Sequence, residues 1–352
     1  MKNFNQGVNY YILHPDEVLE QVKANPNFLI EELKNMELVD YLLENKILPY
    51  GAHTLSLVDE NNDKWSSIHR EYEKRNHNIL EETRTIFQKF SSTDKNIILI
   101  ENFGTILSSN ACLGCFSSGD IDLSADSSDY HEVIKYMSEL GYIKESRRGV
   151  PNSIMTTFSK ANVLEGKKFY VNFEWKPIAR RYIIGIKKLH RRLEHFRKNN
   201  YKTLDNGIKV LSDNALLYFN LLHVSIGHYY NTSPGIRLYA DIDRLIRHSS
   251  DINYNKIFLW AKEDDQTIRV YTALSLTRDV LNTPIPDCNH LINNNIFKFS
   301  SKIKKYLWSV KKSSYINRTN IFDQWMIDAM SEGMNIFTYC LLRIVRLNRT
   351  KS

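Results

Sequence analysis

Two aspartates one residue apart, Asp120 and Asp122 in Gly119-Asp120-Ile121-Asp122-Leu123, are the side chains best placed to do chemistry in this chain of 352 residues. Apolar Ile121 and Leu123 alternate with them, which predicts a strand, and positions i and i+2 of a strand share a face. Two carboxylates held side by side repel each other unless something offsets their charge. A hard divalent cation with oxygen ligands, Mg²⁺ or Mn²⁺, meets that need.

The elements around the pair must position it. Ile97-Ile98-Leu99-Ile100 predicts a buried strand running into Phe103-Gly104-Thr105, read as a small turn whose backbone N–H groups approach phosphate oxygens. Gly104 and Thr105 are therefore candidate nucleotide contacts, together with Ser118 and Gly119 just before the aspartates. Helical spacing marks residues 27–45 and 64–90, with a further helix start at His14-Pro15-Asp16, and Pro49-Tyr50-Gly51 is read as a break. Past Asn96 the texture changes to short strands. Tyr142-Ile143, residues 153–159 and residues 169–175 are strand candidates, with a helix over 130–140. Beyond Pro177 helical patterns return at 213–230, 237–247, 253–262, 267–281, 297–310 and 334–347. The expected class is α+β: a small mixed sheet (91–180) between an N-terminal helical region (1–90) and a C-terminal helical domain (181–352).

Composition supports a globular chain, with 42% hydrophobic, 25% charged and 12% aromatic residues. No apolar run has the length of a signal peptide core or a membrane span, and four cysteines do not make a disulfide framework. The expected location is the cytoplasm. A net charge of +7 suits an anionic ligand and is modest for a nucleic-acid binder.

Strand, small turn, spacer and Asp-Ile-Asp-Leu together resemble the nucleotidyltransferase signature of the DNA polymerase beta-like superfamily. The order of motifs also resembles an uncharacterised bacterial family labelled type 5 NTP-transferase. The corresponding stretches are Asn102-Phe103-Gly104, Asp120-Ile121-Asp122-Leu123, Val171-Asn172-Phe173-Glu174-Trp175, Leu221-Leu222-His223 with His228, and Arg237 to Asp243. The chain departs from the family in having no lysine before Gly104 and in placing Asn172 where a third aspartate is usual. The resemblance implies two divalent ions held by Asp120, Asp122 and a third carboxylate, here Glu174. It also implies an NTP donor, pyrophosphate release, and an acceptor that is a small molecule, a peptide or a protein. Arg180 and Arg181 are candidates for neutralising the triphosphate.

Other motifs read more plainly. Cys112-Leu113-Gly114-Cys115 has no second pair or histidine cluster near it in sequence and is read as a loop before the aspartate strand. His223 and His228 are read as core histidines. Asp241 and Asp243 fall on a helix, where i and i+2 diverge, and Arg237 and Asp241 are expected to form an i,i+4 ion pair. The basic segment 180–198 carries few aromatics, so nucleic-acid binding is disfavoured. Two alternatives stand beside the enzyme: an impaired relative that binds a nucleotide or partner, and a nucleic-acid-binding or -modifying protein.

Overall fold

The computed structural model describes residues 12–14, 36–58, 63–109, 112–117, 119–145, 155–162, 167–176, 185–231, 236–310 and 321–349. Ser118, Arg180 and Arg181, the helix expected after His14, and most of the first half of the 27–45 helix lie outside them.

Three helices lead in: α1 (Met36–Glu44), α2 (Leu48–Val58) and α3 (Asp63–Ser91). Pro49, expected to break a helix, instead helps open α2. A proline in the first turn sacrifices an N–H that has no intrahelical partner, and its fixed φ suits the helix. Helix α3 buries Asn76, Ile79, Leu80, Thr83, Ile86, Phe87 and Phe90, a stripe recurring every three or four residues.

Seven strands form one mixed sheet: β1 (Ile98–Leu99), β2 (Ile121–Ser124), β3 (Ile143–Lys144), β4 (Met155–Asn162), β5 (Lys167–Glu174), β6 (Tyr201–Thr203) and β7 (Lys209–Leu211), in the order β3-β4-β5-β2-β1-β7-β6. Strand β2 runs parallel to β5 and antiparallel to β1, and β1 runs parallel to β7. Helices α4 (Glu101–Ser108), α5 (Tyr130–Glu139) and α6 (Ile186–Asn199) are interleaved with the strands. The α+β class is as expected, but the sheet does not end before residue 180. The hairpin β6–β7 carries it to residue 211. Its signal is present in the sequence as Asn206-Gly207 between two short alternating runs, with Gly207 at φ 80°.

One face of the sheet is apolar. Leu123, Val171 and Phe173 are fully buried, and Phe173 meets Phe90 of α3 at 6.0 Å and Phe158 of β4 at 5.8 Å between ring centroids. This packing fixes the register, because a one-residue slip would turn Asp122 and Asn172 into the core.

The C-terminal half is helical: α7 (Asp213–Leu222), α8 (Ile236–His248), α9 (Tyr254–Glu263), α10 (Thr267–Leu281), α11 (Asn294–Val310), α12 (Ile321–Ser331) and α13 (Ile336–Arg349). The apolar pattern read as one helix over 213–230 gives α7 followed by a π-helical turn, His223–Gly227. No helix among the described residues is long and apolar enough to cross a membrane.

Candidate active site

Because β2 and β5 are parallel with Asp122 opposite Asn172 and Ser124 opposite Glu174, the polar positions of both strands lie on one face. Asp122 is 6% exposed and Glu174 7% exposed, so both acids are buried. The Asn172 side-chain amide donates to Asp120 Oδ2 and to Asp122 Oδ1, each at 2.9 Å, and its Oδ1 accepts from the Thr157 hydroxyl at 2.8 Å. That pattern orients the amide: both N–H bonds meet carboxylates and the carbonyl meets a donor. Asn172 is thus a neutral clasp on the two aspartates.

The clasp does not cancel the charge. Burial, the Asp120 charge, and then those of Glu101 and Glu174 push the Asp122 carboxyl well above the usual carboxylate range. Asp120 is raised as well, by burial and by Glu101, against the opposing pull of Arg237. Acids this reluctant to ionise are acids that a cation would stabilise in charged form. Oxygen donors are the type a hard divalent ion takes, but Asp120, Asp122 and Glu174 do not converge within 4.8 Å of one another as the structure stands, and the Asn172 N–H groups lie between the aspartates.

Several residues join this cluster without having been expected there. Glu101, at the β1–α4 junction, has a left-handed φ of 57° and pairs with His223 Nδ1 at 2.9 Å. His223 Nε2 in turn lies 2.9 Å from His228 Nε2. Burial opposes a charge on His223, but Glu101 outweighs it and the histidine pKa is raised. The histidine read as an ordinary core residue therefore reaches the acid cluster from the π-helical turn, a helix distortion frequent at functional sites. Nothing in the sequence pattern distinguishes a π-turn from α-helix.

Helix α8 supplies two more groups. Arg237 Nη1 donates to the Ser117 carbonyl at 3.3 Å, and no ion pair joins it to Asp241 among the described residues. The expected i,i+4 pair is corrected: Arg237 is drawn to the loop before the aspartates. Asp241 is 4% exposed, its Oδ1 has no hydrogen-bond partner, and burial, against Arg237 and Arg244, raises its pKa to about 6. Asp243 points elsewhere, to His14 Nε2, Arg247 and Thr283, so the two aspartates diverge as helix geometry requires.

The turn expected at Phe103-Gly104-Thr105 is also corrected. All three residues lie inside α4. A Cβ on Gly104 would sit 3.3 Å from the Leu99 carbonyl oxygen, so this glycine lets α4 approach β1 closely. Thr105 is buried, its hydroxyl donating to the Glu101 carbonyl and accepting from Asn220 Nδ2 at 2.9 Å. The N–H groups that lack intrahelical acceptors are those at the start of α4. That start lies beside the aspartates, since the Ile100 N–H donates to the Asp122 carbonyl at 2.9 Å. Gly119 is exposed, and the Arg75 guanidinium lies near it.

Three of the six lysines and arginines in the described part of the basic segment meet acids. Lys188 meets Asp265, Arg192 meets Asp264 and Glu263, and Arg197 reaches Ser124, the Ala125 carbonyl and Asp126.

A family model described as uncharacterised nucleotidyltransferase matches residues 33–282. Among solved structures, the chain is similar to an antigenic nucleotidyltransferase-like protein from Paracoccidioides brasiliensis, at 15% identity over 59% of this chain and 94% of that one, with a TM-score of 0.40. Comparison with curated proteins gave no match.

Proposed function

The chain belongs to the uncharacterised nucleotidyltransferase family, and we propose that it transfers a nucleoside monophosphate from an NTP to an acceptor with release of pyrophosphate. The observation carrying this reading is the group of acids, half-buried Asp120 just before β2 and buried Asp122 and Glu174 on the parallel strands β2 and β5, with the two aspartates pushed up in pKa.

Asp120 and Asp122 would hold Mg²⁺ or Mn²⁺, with Glu174 as the third carboxylate. The bound ion would neutralise triphosphate charge and raise the acidity of an attacking hydroxyl. The rest is the work of the chain's own side chains. The first N–H groups of α4 offer donors to phosphate oxygens, and Arg237 brings a positive charge that Asp120 already feels. Arg180 and Arg181 remain candidates for the same role. Thr105, through Asn220, ties α4 to α7 and keeps the helix start in place. His223, held between Glu101 and His228, and Asp241, with one buried oxygen unpartnered, are the groups able to exchange a proton with an acceptor that enters from the helical half. The acceptor is a small molecule, a peptide or a protein side chain.

Calorimetry with ATP, GTP, CTP and UTP in the presence of Mg²⁺ tests the reading, on the native chain and on Asp120→Asn/Asp122→Asn. Metal-dependent binding of one NTP, lost in the double variant, is expected. Binding that persists in the double variant, or none to any NTP, refutes the site.

A further inference from the structure

The Cys-x-x-Cys stretch has no histidine cluster near it in sequence, yet the fold provides one. His53 on α2, His69 on α3, and Cys112 and Cys115, which flank and close a short 3₁₀ turn (Leu113–Cys115), bring one ligand atom each within 4.8 Å of one another. His69 Nε2 is already 3.3 Å from Cys112 Sγ, and the rings of His53 and His69 stand 4.5 Å apart. Bond lengths of about 2.3 Å to sulfur and 2.0–2.1 Å to nitrogen place the ligand atoms of a tetrahedral zinc site roughly 3.4–3.8 Å from each other. The observed spacing exceeds that value by about 1 Å at most.

We propose that His53, His69, Cys112 and Cys115 form a structural Zn²⁺ site. Two imidazoles and two thiolates are a complete tetrahedral set for this metal, neutralising its charge and leaving no open position for substrate. The Cys112 thiol already lies against the His69 imidazole. The turn is shaped around the imidazole as well. A Cβ on Gly114 would fall 2.3 Å from His69 Nε2, so any larger residue here would displace the imidazole from its place against the turn. Asn76 of α3, fully buried, holds the turn from below by donating to the carbonyls of Leu113 at 2.5 Å and Phe116 at 3.0 Å.

The site's position gives it a purpose. Cys115 is followed after Phe116 by Ser117, whose carbonyl accepts from Arg237, and then by Gly119 and Asp120. A zinc ion there would anchor the loop bearing the aspartates to the helices α2 and α3.

Metal analysis of the full chain, purified without a histidine tag and without chelator, tests this independently of any nucleotide activity. About one zinc per chain is expected, falling below about a tenth in Cys112→Ser/Cys115→Ser. Replacement by Co²⁺ should give sulfur-to-cobalt charge-transfer and tetrahedral d–d bands. Gly114→Ala keeps all four ligands but displaces His69, so it should bind zinc at least about tenfold more weakly, and it serves if the cysteine variant does not fold. Native chain that retains no zinc after incubation with excess Zn²⁺ and desalting overturns the proposal. So does a Cys112–Cys115 disulfide in protein prepared under reducing conditions.

Discussion

Replacing Asn172 with aspartate sets a further carboxyl where the clasp stands and puts the electrostatics of the cluster to a direct test. The change removes two N–H donors, each 2.9 Å from a carboxylate oxygen, where a hydrogen bond to a charged group contributes about 1.5–3 kcal/mol. It also sets a third negative charge roughly 4 Å from the other two, worth about 4 kcal/mol of repulsion per pair at an effective dielectric of 20. Proton uptake limits the damage: holding one more carboxyl neutral at pH 7.5 costs about 5 kcal/mol from an ordinary pKa near 3.9. The protonated acid restores one of the two donors and the other remains lost, so a net loss of about 6–8 kcal/mol is expected in chelator at pH 7.5, a fall in Tm of roughly 8–11 °C for a chain of this size. The variant takes up a proton on folding, so the deficit shrinks as the pH is lowered towards 5.5, by about 2.7 kcal/mol at most. Millimolar Mg²⁺ should recover more than half of it, because the third acid becomes a ligand. Differential scanning calorimetry across this grid of pH and Mg²⁺ reads every term. A variant as stable as the native chain in chelator, or a deficit that Mg²⁺ leaves untouched, refutes the clasp and the cation site together.

Asp241 makes a pH prediction of its own. Its carboxyl pKa rises from 3.8 unfolded to about 6 folded, so its stability contribution is intact below pH 3.8 and is lost as the pH climbs through 6. The loss approaches about 3 kcal/mol. Asp241→Asn should remove that slope between pH 4 and 6 and raise Tm at pH 7.5, and unchanged denaturation profiles would count against the burial described here. Arg269, fully buried, bonds Asp328 at 3.2 Å and Glu332 at 2.8 Å. Arg269→Met leaves both acids without their cation and should cost about 3–5 kcal/mol by urea unfolding, whereas a cost under about 1 kcal/mol would show that the acids find water.

The parts of the site that could be read in the sequence are those set by period. Asp120-Ile121-Asp122-Leu123 and Val171-Asn172-Phe173-Glu174 alternate, and alternation alone puts the polar residues on one face and the apolar ones against Phe90 and Phe158. The helix at 267–281 follows its apolar pattern to both ends. What stayed hidden depends on approach in space. Gly104 looks like a turn residue in any window of sequence, and only the closeness of Leu99 shows it to be a helix–strand contact. Glu101 and His223 are 122 positions apart, and the π-turn that aims the histidine leaves no mark on hydrophobic spacing. His53 and His69 lie far from the cysteines along the chain, so a search for neighbouring ligands passes over them. Ile321–Ser331, a helix not expected at all, has many of its positions only half buried and so shows a weak stripe.

The parallel pairing of β7 with β1 has a consequence for how the protein is made. Synthesis proceeds at about 5–20 residues per second, so β2 with its aspartates leaves the ribosome roughly 4–17 s before β7 does. For that interval β1 is the outer strand of an incomplete sheet, presenting Ile98 and Leu99 with their backbone groups open to any passing edge. A nascent chain halted near residue 180 would carry Asp120, Asp122 and Glu174 and still lack the strand that shields β1. Early termination should therefore yield sticky, chaperone-bound material rather than a working half, and tolerance to truncation should appear only downstream of Leu211.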